Sequence, residues 1–422
     1  MATIKPFKGL RYNPALIEDL AAVITPPYDV IDGAAQARYY EQSPYNIIRL
    51  EYGMIRPGDD ERDNRYSRAA ATLQRWLAER ILIVEEAPAF YIYEQSFAFE
   101  GNNYLRTGIA AALKLEPYSS KVVLPHEETH SRPKSDRLEL LRHCRANFSP
   151  IFGLFPAPGE KLNSLYARAK LEPPLMDLAG KNGERHLLRA VREKALIEQL
   201  IELIGAQPVF IADGHHRYET ALHYAAEPGA PLPGSQFVLA FLFSLEDPGM
   251  LILPTHRLTG RLTPDQKNLL EKIMAERFTI GQRGNLRELN MESFIGALRE
   301  RGRHGTALGL FRGDEALILM PQKCAGGERL DTALLQELIL EPLYGGDRTR
   351  LEQEISYTRD ASEARQAVIE GTSGAAFIMN PTPIEAVTDH ARRGKKMPQK
   401  STYFHPKLPS GLLIHHLALS HS

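Results

Sequence analysis

The run Asp213-Gly214-His215-His216-Arg217 places a carboxylate, two imidazoles and a guanidinium around a single glycine. Side chains this dense in charge rarely build a core, because each charge taken from water costs free energy unless it is paired. The apolar, β-branched Pro208-Val209-Phe210-Ile211-Ala212 precedes the run, and Tyr218-Glu219-Thr220-Ala221-Leu222, a good helix starter, follows it. The motif is therefore expected on a strand-to-helix turn. There the free backbone N–H groups and the positive helix end favour an anion, and Arg217 with the histidines adds donors suited to phosphate.

A second constellation, His126-Glu127-Glu128-Thr129-His130, has the spacing of zinc metalloproteases, whose two histidines share one helical face. Pro125 precedes it, Pro133 follows closely, and no apolar period runs through it, so the helix which that chemistry needs is not predicted. The wider crowd of His126, Glu127, Thr129, Lys134, Asp136 and Arg137 stands just before the helical Leu138-Glu139-Leu140-Leu141. It suits a site at a helix entrance, or equally a solvated loop that caps the helix through Ser135 or Asp136. A third group is the basic tail from Lys395 to Lys407, either a mobile loop or a lid whose lysines reach over phosphates while Tyr403 and Phe404 anchor it. His256-Arg257, at a strand end, reads as a structural pair.

These residues must be positioned by elements that the pattern outlines. A helix is expected over 62–80, strands over Ala89 to Phe99 and Tyr104 to Leu115 with a hairpin turn at Gly101-Asn102-Asn103, and helices from Glu160 to Lys170 and Ala190 to Leu203. Strands are expected at Phe237 to Phe243, Met250 to Leu253 and Ala375 to Met379, with a helix near Leu334 to Leu343. The stiff Thr25-Pro26-Pro27-Tyr28-Asp29-Val30 suits a site wall. The fold class expected is α+β (mixed α/β), with a main domain over 1–260, a small α+β subdomain over 261–330 opened by the Thr263-Pro264-Asp265 cap, a break at Ala325-Gly326-Gly327, and a C-terminal α+β region over 331–422.

With 422 residues the chain can bury more than one core. Lysine plus arginine number 51 against 52 acids, so nothing global argues for a nucleic-acid or membrane surface. Two cysteines, Cys144 and Cys324, allow neither a disulfide framework nor a cysteine zinc site. With no signal-like start and no long apolar run, a soluble, cytoplasmic protein is expected.

Six ordered blocks resemble one prokaryotic family, the domain of unknown function number 1015. They are Lys5-Pro6-Phe7 with Gly9-Leu10-Arg11-Tyr12, Pro26-Pro27-Tyr28-Asp29-Val30, Pro125-His126-Glu127 with Thr129, Asp213 to Arg217 with Tyr218-Glu219-Thr220-Ala221, Pro254-Thr255-His256-Arg257, and Met397-Pro398-Gln399-Lys400-Ser401-Thr402. More distantly, Pro125-His126-Glu127 and Asp213 to Arg217 resemble the two boxes of the free-serine kinases in the ParB/sulfiredoxin superfamily. That resemblance implies a ParB/sulfiredoxin-like catalytic core with large insertions, ATP or ADP with Mg²⁺, and phosphoryl transfer to a small hydroxylated metabolite such as L-serine. The second box lacks the cysteine that sulfiredoxins use.

Carried onto this chain, Glu127 becomes the base for the acceptor hydroxyl, and Asp213 a Mg²⁺ ligand or acceptor-orienting group. His216 is counted with them as catalytic, while Gly214, His215 and Arg217 hold phosphates. Lys134, Arg137 and Lys400 are further phosphate or carboxylate ligands, and Arg11, Asp29 and Thr129 are assigned to the acceptor. No nucleic acid or membrane partner is expected, and the chain could pair as a homodimer. The alternatives are a nucleotide-binding regulator without a small acceptor, and a metal-dependent hydrolase built on His126, His130, His215 and His216.

Overall fold

The computed structural model describes residues 1–127, 129, 131–157, 159–180, 183–228, 232–322 and 330–421. They form a mixed α/β protein of two compact units, Met1–Leu251 with Pro406–Ser422, and Ile252–His405. The first unit carries a nine-stranded sheet in the order Val123–Leu124, Val209–Asp213, Ile151–Phe155, Phe237–Ser244, Asn102–Lys114, Phe90–Phe99, Arg185–Val191, Met176–Ala179, with Ile4–Lys5 added on Asn102–Lys114. Phe237–Ser244 is buried along its whole length, since it pairs parallel with Ile151–Phe155 and antiparallel with Asn102–Lys114. This explains its unbroken apolar run. Helices pack on the sheet through Leu165, Leu200 and Tyr218, and a second core gathers Leu10, Leu73, Leu140 and Phe148 around Trp76.

Two local expectations change. The hairpin turns at Glu100-Gly101, both at positive φ, and Phe99 pairs with Asn102, so the two asparagines begin the next strand. This is a two-residue turn of the kind whose twist matches the strands it joins. The helix expected from Ala190 starts at Lys194, because Arg185–Val191 is a strand that runs into it with only Arg192-Glu193 between. The charged face of that strand is what hid it: Arg185 pairs with Asp177 and Arg189 with Glu94, while Leu188 and Ala190 are buried.

In the second unit, a six-stranded antiparallel sheet runs in the order Phe278–Asn285, Glu315–Pro321, Leu308–Arg312, Ala376–Ile378, His256–Thr259, Ile355–Thr358. It interleaves strands from both sides of residue 330, so the separate subdomain expected over 261–330 and the region over 331–422 share one sheet, and residues 406–422 return to the first unit. The reason is hydrogen bonding: Ala376–Ile378 supplies the partner edge for both Leu308–Arg312 and His256–Thr259. The break expected at Ala325-Gly326-Gly327 and the residue Cys324 lie outside the described residues. Phe404 and Met397, in the expected mobile tail, are buried. Among the described residues no helix is long and apolar enough to cross a membrane.

Candidate active site

Val123–Leu124 and Val209–Asp213 are parallel neighbours, with Val209 opposite Val123 and Phe210 opposite Leu124. Parallel strands end on the same side, so the segments leaving them, Pro125-His126-Glu127 and Asp213-Gly214-His215, emerge together. Gly214 then opens the helix His215–Ala225 at φ 95°, with no side chain capping the helix. The cap residue itself thus supplies no side-chain acceptor to the first turn, which suits an anion site. A Cβ on Gly214 would lie 3.1 Å from Arg217 Cζ and 3.1 Å from Ile151 Cδ1. Gly214→Ala is therefore expected to cost at least about 1–2 kcal/mol, the strain of a left-handed non-glycine residue, and to lower the urea midpoint.

The two segments lock through their histidines. The His126 backbone N–H donates to His215 Nε2 at 3.3 Å, and the rings meet edge to face with centroids 4.6 Å apart. His126 Nδ1–H donates to the Ile211 carbonyl at 2.8 Å. Because His215 Nε2 accepts, neutral His215 carries its proton on Nδ1, which lies 3.7 Å from Glu127 Oε2. Burial drives the pKa of both histidines below the usual imidazole value, that of His215 well below. Neutral His215 therefore presents an N–H to a partly exposed carboxylate.

This arrangement has a pH consequence. Below about pH 6.5 the unfolded chain protonates both imidazoles while the folded chain refuses the protons, so the stability present above pH 6.5 is lost as pH falls towards the lowered folded values. The loss is expected to approach ~1.4 kcal/mol per pH unit for each histidine. Urea midpoints compared at pH 7.5 and 5.5 test this, and equal midpoints would contradict it.

Asp213 sits between two cations. Arg217 donates to its Oδ2 and Lys407 to its Oδ1, and Arg217 also donates to the Pro150 carbonyl. Burial alone would raise the Asp213 carboxyl, but the Lys407 ammonium and the Arg217 guanidinium hold it well below the usual carboxylate range. The charges of Asp29 and Glu51 also act on Arg217. Both Asp213 oxygens are taken by cations, which does not fit its expected role as a Mg²⁺ ligand, and among the described residues no three His, Cys, Asp or Glu side chains are placed to hold a metal ion.

The other expected site residues divide. Thr129 and Lys134 join the site: the Thr129 hydroxyl donates to Glu219 Oε2 at 2.6 Å, and Lys134 Nζ donates to Thr129 Oγ1 at 3.2 Å and to Glu219 Oε2 at 3.1 Å. His216 lies in the first turn of the helix, partly exposed. Arg137 does not serve as a phosphate ligand. It is buried, donates to the Glu51 carbonyl at 2.8 Å and to Asp136 Oδ2 at 2.8 Å, and stacks over the Tyr28 ring at 4.0 Å.

Arg11 is drawn elsewhere, donating to Glu85 Oε1 at 2.7 Å, while the other oxygen of Glu85 is held by Arg192. Arg192 follows a strand five places along the sheet from Val209–Asp213, roughly 24 Å at the usual strand spacing. Lys400 belongs to the second unit, where its carbonyl accepts from Arg257 at 3.1 Å. His256 is a structural histidine there, its Nδ1 accepting from Met379 N–H at 3.1 Å. His130 and Glu128 lie outside the described residues, and the next helix, Ser131–Cys144, begins only after the zinc-like motif.

Two residues of the site were not assigned from sequence. Glu219 stands four positions after His215, one helical turn on the same face, a spacing that could have revealed it. Lys407 lay within the basic tail, but nothing local separates it from Lys400.

Residues 4–334 match the family described as "Protein of unknown function (DUF1015)". A search of curated proteins finds no match. Among solved structures, a free serine kinase in complex with AMP is 14% identical over 70% of this chain and 86% of that chain, with a TM-score of 0.39. A conserved hypothetical protein from Pyrococcus furiosus is 15% identical over 74% of this chain and 95% of its own, with a TM-score of 0.38. SbnI with C-terminal truncation from Staphylococcus aureus is 10% identical over 70% of this chain and 84% of its own, with a TM-score of 0.35.

Proposed function

The chain belongs to the DUF1015 family, and from the chemistry of its site we propose that the first unit is a small-molecule kinase. It moves the terminal phosphoryl group of ATP or ADP onto the hydroxyl of a small metabolite, with free L-serine as the first acceptor to test. One juxtaposition carries this reading: Glu127 faces the N–H of neutral His215 at the uncapped amino end of the helix His215–Ala225. A carboxylate base beside an anion-binding helix end is what phosphoryl transfer asks of a protein, since positioning and charge neutralisation do most of the work. A ParB/sulfiredoxin-like core for this unit is part of the same proposal.

In this mechanism the acceptor oxygen attacks the terminal phosphorus as the bond to the bridging oxygen of the nucleotide breaks. The acceptor proton passes to Glu127, and the products are a phosphate ester and the shortened nucleotide. His215 Nδ1–H faces the Glu127 carboxylate at 3.7 Å. The helix N–H groups, His216 and Lys134 hold the phosphate oxygens. Asp213 acts as a positioning residue, fixing Lys407 and Arg217 as a wall in which two cations outweigh one carboxylate. Asp29 is the candidate partner for the ammonium of an amino-acid acceptor, whereas its carboxylate finds no partner in Arg11. Mg²⁺ is given no protein ligand here, for the reason stated at Asp213.

The test is to incubate the purified chain with ATP or ADP, Mg²⁺ and L-serine and look for O-phosphoserine, then to extend the acceptors to a panel of small hydroxylated metabolites. Acceptor-dependent release of the shortened nucleotide supports the proposal. Nucleotide binding without release under any acceptor would replace it with a nucleotide-binding regulator.

A further inference from the structure

We propose that the first unit holds a second anion site, separate from the Asp213 site, which takes a small molecule carrying two or more phosphate groups. An open cavity of about 440 Å³ is lined by Arg49, Arg56, Arg65, Arg68 and Arg75, and no carboxylate is among its lining residues. Arg65, Arg68 and Arg75 come from one helix, Arg65–Ala78, at spacings that keep them on a common face. The adjoining face, about a quarter-turn round the helix, buries Ala69, Leu73 and Trp76 and so fixes the direction of the arginine stripe.

The nearby acids do not balance this charge. Arg68 holds Asp59 through two bonds of 2.8 and 2.9 Å and Asp63 through one of 3.0 Å, and Arg65 holds Asp136. Asp59 also feels Arg56. Arg49 donates to the Tyr40 carbonyl at 2.8 Å and lies over the Tyr40 ring at 4.4 Å, while its buried Nε makes no hydrogen bond. Five arginines thus line one space, and the three carboxylates are held by only two of them, Arg65 and Arg68. Such a cluster is costly when empty and is relieved by a multiply charged anion, and the guanidinium fork matches phosphate oxygens two at a time. The volume is that of a small-ligand pocket.

The site has a route to the rest of the unit. Asp136 accepts from Arg65 and from the Tyr66 hydroxyl at 2.7 Å on one side, and from Arg137 on the other. A ligand that recruits Arg65 therefore competes with Asp136, whose other partner stacks on Tyr28 beside Arg217.

The probe is inorganic pyrophosphate, titrated calorimetrically into the full chain. R56Q/R75Q removes two exposed guanidinium groups outside the core and is expected to weaken one pyrophosphate-binding event at least tenfold. K134A/H216A, at the other site, is expected to leave that event in place. In the unaltered chain, pyrophosphate is expected to slow labelling of Arg56 and Arg75 by phenylglyoxal at least fivefold, a readout independent of how the variants fold. Wild-type binding by R56Q/R75Q, loss of all binding in K134A/H216A, or labelling indifferent to pyrophosphate would each overturn the proposal. None of these outcomes depends on whether the chain is a kinase.

Discussion

Glu127→Gln is expected to lower acceptor-dependent phosphoryl transfer by about 10²–10⁴-fold, the usual contribution of a positioned general base. The substitution keeps the shape of the side chain, and its amide oxygen can still face His215 Nδ1–H, so the packing of the two histidines is undisturbed. What disappears is the ability to accept a proton from the acceptor hydroxyl. Nucleotide affinity should stay within a few-fold of wild type, because the helix N–H groups and Lys134 that hold phosphate are untouched. A fall in turnover with unchanged nucleotide affinity distinguishes a base from a binding group. Unchanged turnover would remove Glu127 from the chemistry.

Asp213→Ala is expected to be the most destabilising single change in the site. Lys407 and Arg217 have side chains only 11% and 9% exposed, and both form an ion pair with this carboxylate. Removing one member of a buried ion pair leaves an uncompensated charge and costs about 3–5 kcal/mol. Lys407→Met leaves Asp213 paired with Arg217 and should cost clearly less. Urea unfolding of the two variants and wild type tests the order, and a variant Asp213→Ala as stable as wild type would show that the three charges are not coupled in this way. Acid should mimic the substitution only far below neutrality. The Asp213 pKa is depressed in the folded chain, so the stability it contributes is present above its unfolded value of about 3.9 and is lost as pH falls below it.

Much of the local structure was legible because it rests on short-range patterns. The apolar Val209 to Ala212 followed by Gly214 predicted the strand, the turn and the helix His215–Ala225, and the spacing of Ala69 and Leu73 predicted the helix Arg65–Ala78. Where local signals overlapped, boundaries slipped. Arg185–Val191 carries its charge on one face and meets the following helix without a breaking residue, so its last residues read as helix. The arginine face of Arg65–Ala78 was visible in principle, but a charged helix face usually means solvent, and only the neighbouring segment from Tyr40 to Arg56 closes it into a cavity.

The sequence by itself determined which chemical groups the chain owns and the local geometry that Gly214 permits: a helix end with no side chain at its cap, preceded by Asp213, and a Pro-flanked His126-Glu127 through which no zinc-binding helix is predicted. Those follow from backbone sterics and neighbouring residues alone. Only the tertiary structure decided which groups meet. The two-residue strand Val123–Leu124, too short to stand out, pairs parallel with Val209–Asp213 and so brings Glu127 to His215. The return of residues 406–422 to the first unit puts Lys407 on Asp213, while Arg11 is claimed by Glu85 and Arg137 by Asp136 and Glu51. Strand register and the burial of opposite charges depend on partners distant in the chain, and no local pattern encodes which partner a buried charge will find.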